Sequence, residues 1–173
     1  MATVGLVRLR LDGGGASGIE AWSLQGAHST DLDGLPTIAA AEPPPSERRH
    51  PNAALRVDHL VVTTPALART LEALESAGLS LLRIREPNEP GPPVRQAFFR
   101  LGEVILEVAE DPRGGDGPAR FWGLTICIAD LDADAELLGE RIGEIHDAVQ
   151  PGRRIATLRR AAGLGVRVAL ISP

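Results

Sequence analysis

The strongest constraint on the fold is an order of patterns that occurs twice in the last two-thirds of the chain. Residues 57–63 (VDHLVVT) form a β-rich run, and Pro65 follows at a position where a helix start does not need its missing N–H. Leu67, Leu71, Leu74 and Leu81, with Ala68 and Ala77, then recur at helical spacing, and Gly78 is placed to end the helix. Residues 81–85 (LLRIR), 95–101 (RQAFFRL) and 103–109 (EVILEVA) read as three strands, broken by the turn-rich 88–93 (NEPGPP) and by Gly102. After the loop 111–118 (DPRGGDGP) the order restarts. A strand at 124–128 precedes an amphipathic helix at 130–142, whose acidic first turn suits the helix dipole. A weak strand at 144–149 and stronger ones at 154–158 and 166–171 complete it, with Gly163 and Gly165 between the last two. The order β-α-β-β-β therefore repeats with a period of about sixty residues. One such module buries only one face of a small sheet. Two are expected to form a curved mixed sheet around a cleft, with the helices outside.

A length of 173 residues suits one domain with a sizeable core. All 18 basic residues are arginine, which excludes Schiff-base chemistry on a lysine, and the absence of tyrosine excludes a phenolic general acid. A net charge of −5 without a basic stripe argues against a nucleic-acid partner. The single Cys127 cannot form an intrachain disulfide and lies in an apolar run, where it reads as a small buried core residue. There is no secretory signal pattern and no apolar run near the ~20 residues that span a bilayer, so the expectation is a cytoplasmic protein without a membrane partner. No P-loop or GxSxG elbow is present, and Gly13-Gly14-Gly15 is not followed by a helix, which speaks against a dinucleotide site.

The first fifty residues stand apart. Residues 4–11 and 18–24 have strand character and suggest a β-hairpin, and residues 26–54, with Pro43-Pro44-Pro45, read as an extended connector. The chain thus divides into a hairpin and connector at 1–54 and a main domain at 55–173, with modules at 55–110 and 119–173. A lone hairpin is marginally stable, so residues 1–40 are expected to be ordered and to add strands to the main sheet or to that of a homodimer partner.

The segments DHLVVTTPALARTLEALESAGL and RQAFFRLGEVILEVAE resemble the first module of glyoxalase/bleomycin-resistance proteins, the vicinal oxygen chelate superfamily, and FWGLTICIADLDADAELLG resembles the opening of the second. The resemblance implies that in metal-dependent members a divalent ion is held by four side chains, from the first and last strands of each module. His59 and Glu107 match the two first-module positions. Aligning Ala66-Leu67 with Asp130-Leu131 puts Gly123 opposite His59, and Ala169 falls opposite Glu107. Neither carries a donor, so half of the implied site is missing. Gln25, His28, His50 and Gln150 are the other conceivable donors, and the cofactor stays open.

Without an ion, His59 and Glu107 could form a hydrogen-bonded acid–base couple. Arg95-Gln96 and Arg153-Arg154 occupy comparable places in the two modules. Strand alternation sends one member of each pair inward, where an arginine would clamp a carboxylate or phosphate. Gln96, Arg95, Arg154 and Trp122 are thus candidate ligand contacts. Three functions follow: a lyase or isomerase using His59 and Glu107 on a small polar metabolite, a non-catalytic protein that sequesters a small molecule, or a structural protein with a vestigial cleft. Fold alone does not choose among them.

Overall fold

The computed structural model describes residues 1–11, 17–40, 50 and 52–173. The glycine run at 13–15 and the prolines at 43–45 lie outside those residues. The chain opens with short strands β1 (Ala2–Val4), β2 (Val7–Leu9), β3 (Trp22–Leu24), β4 (Asp31–Leu32) and β5 (Leu35–Ala39). The first module is β6 (Ala54–Thr64), α1 (Leu67–Ser76), β7 (Ser80–Arg85), β8 (Gln96–Leu101) and β9 (Val104–Glu110). The second is β10 (Arg120–Ile128), α2 (Leu131–Leu138), β11 (His146–Asp147), β12 (Arg154–Thr157) and β13 (Arg167–Ile171). Both β-α-β-β-β orders expected from the patterning are present, and the mixed sheets with two helices are of the α+β class.

The helix starts confirm the internal alignment, since Ala66 and Asp130 are the two N-cap residues. Asp130 caps through its side chain, accepting from Ala133 N at 3.0 Å. At α1 the preceding strand substitutes, with Thr64 Oγ1 accepting from Ala66 N at 3.1 Å. α2 is shorter than the expected 130–142. Gly139 adopts φ +54, which breaks the α-helix, and Gly139–Arg141 continue as a 3-10 turn.

Two compact units emerge. The first comprises Met1–Gly18, Pro44–His59 and Gly123–Pro173, and the second Ile19–Pro43 and Leu60–Trp122. In the first unit the strand order is β11-β12-β13-β10-β6. β10 and β13 are parallel, with Gly123 opposite Arg167 and Thr125 opposite Ala169. In the second unit the order is β6-β9-β8-β7, and the pairs β7/β8 and β8/β9 are antiparallel. Each module therefore sets its first strand beside its last, so the repeat in sequence is a repeat in topology.

Alternation along β8 and β9 divides the second unit's sheet into two faces. Ala97, Phe99, Leu106 and Val108 bury against Leu67, Leu74 and Ala77 at the α1 layer. Gln96, Phe98 and Glu107 alternate with them and face the other way.

The N-terminal region corrects two expectations. The hairpin lies within the first segment, where β1 pairs with β2 around Gly5 at φ +58, and β3 pairs in parallel with β5 instead of returning on residues 4–11. Residues 31–39 are not connector but a second hairpin, β4/β5, turning at Asp33 (φ +54) and Gly34 (φ +80). Two central residues with positive φ are what a tight hairpin turn requires, and Asp-Gly supplies them. Among the described residues these strands pair with one another and not with strands of the two modules. They form small sheets of two and three strands, and Leu32 and Leu35 are buried in the second unit's core. Among the described residues no helix is long and apolar enough to cross a membrane.

Candidate functional site

The polar residues gather in two places, one in each unit. In the first unit, Asp58 and His59 are neighbours on β6. Asp58 is 9% exposed, and its carboxylate accepts from Arg153 Nη2 at 2.8 Å and His59 Nδ1 at 3.0 Å, with Arg56 at 3.5 Å. Burial alone would raise the Asp58 pKa. The hydrogen bonds from His59 and Arg153, with the Arg153 charge, outweigh it and hold the carboxyl far below the ordinary carboxylate range. Because an ionised carboxylate only accepts, Nδ1 of His59 carries a proton. In the neutral ring the lone pair is then on Nε2, and Thr125 Oγ1 lies 2.9 Å from it as donor. Thr125 is 3% exposed. Arg153 also donates from Nε to the Ser172 carbonyl at 2.9 Å. The result is a closed chain Arg153–Asp58–His59–Thr125 with every ring nitrogen engaged.

A divalent ion does not fit this arrangement. The histidine nitrogen that would bind it is occupied by Thr125. At Gly123, which matches His59 in the repeat, a Cβ atom would lie 2.6 Å from the Arg167 carbonyl oxygen and 2.8 Å from Arg167 Cβ, so the parallel β10/β13 pair leaves no room for any side chain. Ala169 pairs with Thr125 and offers no donor. Among the described residues no three His, Cys, Asp or Glu side chains are grouped to hold a metal.

In the second unit the polar face carries a linear chain of contacts. Arg85, 2% exposed, donates from Nε to Gln96 Oε1 at 2.6 Å, and Gln96, 4% exposed, donates from Nε2 to Glu107 Oε1. Arg83 stands over the Phe98 ring at 5.0 Å from its centroid. Glu107 is half-buried, and the hydrogen bond from Gln96 orients its carboxylate.

The ring nitrogens of His59 are taken by Asp58 and Thr125, and Glu107 Oε1 accepts from Gln96 Nε2. The inward residue of the Arg95-Gln96 pair is Gln96, while Arg95 is 40% exposed and reaches Glu86 and Glu110. The inward residue of the second pair is Arg153. Arg154 forms an exposed bidentate pair with Asp132. Trp122 is 46% exposed, whereas Trp22 packs edge-on against Phe121 at 5.2 Å. The sequence reading missed Asp58, Arg85, Arg153 and Thr125 as members of these networks. For Arg153 the strand alternation already offered the choice, but no pattern marks Thr125 as the partner of a residue 66 positions away.

No protein-family model and no curated protein matches this sequence. Solved structures do match. Methylmalonyl-CoA epimerase from Mycobacterium tuberculosis gives a TM-score of 0.56 at 18% identity, over 72% of this chain and 91% of that one. A variant of the Streptomyces coelicolor methylmalonyl-CoA epimerase, in complex with 2-nitronate-propionyl-CoA, gives 0.54 at 24% identity, over 69% and 94%. A hypothetical protein from Bacillus halodurans gives 0.54 at 18%, over 68% and 94%. At such identities the likeness establishes the fold: this chain has the vicinal oxygen chelate fold.

Proposed function

We propose that this chain binds a small polar metabolite without a metal ion, at the sheet face around Glu107. The observation that carries the proposal is the closure of the implied metal site, with Thr125 on His59 Nε2 and no space for a side chain at Gly123. What is left for recognition is the Arg83, Phe98, Gln96 and Glu107 face, where a carboxylate is held by a neighbour that cannot titrate. Ligand-bound structures among the fold matches, which carry 2-nitronate-propionyl-CoA or methylmalonyl-CoA, support small-molecule binding.

Thermal-shift screening of EDTA-treated protein against acyl-CoA thioesters and small hydroxy, amino and carboxylic acids tests the proposal. A ligand at 100 times its Kd adds about 2.7 kcal/mol, which at this size raises Tm by roughly 5–10 °C. The shift is expected without added metal and should be lost in Glu107→Ala. A response that appears only with a divalent ion, or that ignores Glu107→Ala, would refute it.

A second reading, an isomerase or lyase, is favoured by the fold likeness to epimerases together with the oriented Glu107 carboxylate, a group able to take a proton. It would show as Glu107-dependent deuterium uptake from D2O into the methylmalonyl group of methylmalonyl-CoA. No uptake above the Glu107→Gln background would leave binding alone.

A further inference from the structure

Arg85 is a buried cation whose partners among the described residues include no carboxylate. It ends the edge strand β7 directly opposite Gln96 on β8. One terminal nitrogen donates to the carbonyls of Glu86 (3.4 Å), Glu89 (3.1 Å) and Pro90 (3.3 Å), the other to those of Pro92 (2.5 Å) and Val94 (3.0 Å), and Nε to Gln96. The loop 86–94 is thus folded around the guanidinium. At Gly91 (φ +126) a Cβ would already come within 3.1 Å of Arg85 Cζ. Burying a guanidinium without a counter-ion is costly, and packed apolar side chains commonly stabilise as well or better. The contact with Gln96 gives the charge a use. With Oε1 facing Arg85, the amide cannot flip, since a flip would set NH2 against Nε–H and oxygen against the Glu107 carboxylate. Gln96 Nε2 is therefore committed to Glu107 Oε1.

We propose that Arg85 is the positioning residue for Glu107, acting through Gln96 to hold the carboxylate in one orientation as a hydrogen-bond acceptor. Its functional meaning rests on the reading that Glu107 faces the ligand, whereas the linkage itself does not.

A triple-mutant box measured by urea unfolding tests the linkage, using Arg85→Lys, Gln96→Ala and Glu107→Ala singly and together. Arg85→Lys keeps the buried charge where Arg85→Met risks a chain that does not fold. Positions 85 and 107 are expected to couple by at least fivefold in the unfolding equilibrium constant, and the coupling should vanish in the Gln96→Ala background. In parallel, the Gln96 side-chain NH2 resonances should exchange at least tenfold faster in Arg85→Lys than in the unaltered protein. Additive effects at 85 and 107, coupling that survives without Gln96, or an unchanged Gln96 amide would each overturn the proposal. A ligand response indifferent to Glu107→Ala would overturn the functional reading and leave the box intact.

Discussion

Replacing Asp58 with alanine is expected to cost about 3–5 kcal/mol of folding stability, the range for removing one partner of a buried ion pair. Arg153, with its side chain 17% exposed, would lose its carboxylate, and His59 would lose the acceptor that fixes its ring. Asp58→Asn separates charge from shape. Because the folded-state pKa of Asp58 is depressed, its contribution is complete above the unfolded carboxyl value of about 3.9 and disappears as pH falls toward the folded one. Urea unfolding of the unaltered protein should therefore lose stability from about pH 5 downward, and more steeply than Asp58→Asn. Asp111, held down to about 2 by the hydrogen bond and charge of Arg113, titrates in the same window. The quantity to compare is thus the difference between the two curves. Equal slopes would show that Asp58 carries no such charge in the fold.

Deleting residues 1–40 should abolish cooperative folding of the remainder. The deletion removes Leu32 and Leu35, which are 0% and 2% exposed in the second unit's core. Each buried leucine is worth about 2–5 kcal/mol by its alanine replacement, and whole domains hold only about 5–15. It also removes Asp33, which accepts from Arg69 Nε at 2.6 Å and from Thr70 Oγ1 at 2.5 Å beside the first turn of α1. Leu32→Ala gives a graded form of the test, with an expected loss of about 3 kcal/mol. Rapid proteolytic removal of the segment with no change in melting temperature would contradict the expectation.

The modules were legible because their elements are long, periodic and punctuated. Pro65 before α1, Gly78 after it, and the alternation of β8 and β9 all follow local rules. The small N-terminal strands were less so. Asp33-Gly34 is a strong hairpin signal, but the two-residue β4 beside it is too short to show alternation. The incompleteness of the metal set could be read from Gly123 and Ala169. What local rules could not supply is the partner of each inward residue. The closeness of Thr125 to His59 depends on β10 lying next to β6. The role of Arg85 likewise depends on a loop whose own sequence shows only turns.

The most direct measurement is a zinc titration of uniformly 15N-labelled protein at pH 7.5, following the imidazole nitrogens by long-range 1H–15N correlation with elemental analysis after dialysis. The expected result is that His59 stays in its Nδ1–H form, that its Nε2 resonance does not move at one equivalent of zinc, and that less than a tenth of a metal per chain is retained. A shift of the Nε2 resonance of His59 saturating at one equivalent, with about one zinc per chain retained, would show that Thr125 gives way to an ion, and a metal-free site would be the wrong description of this protein.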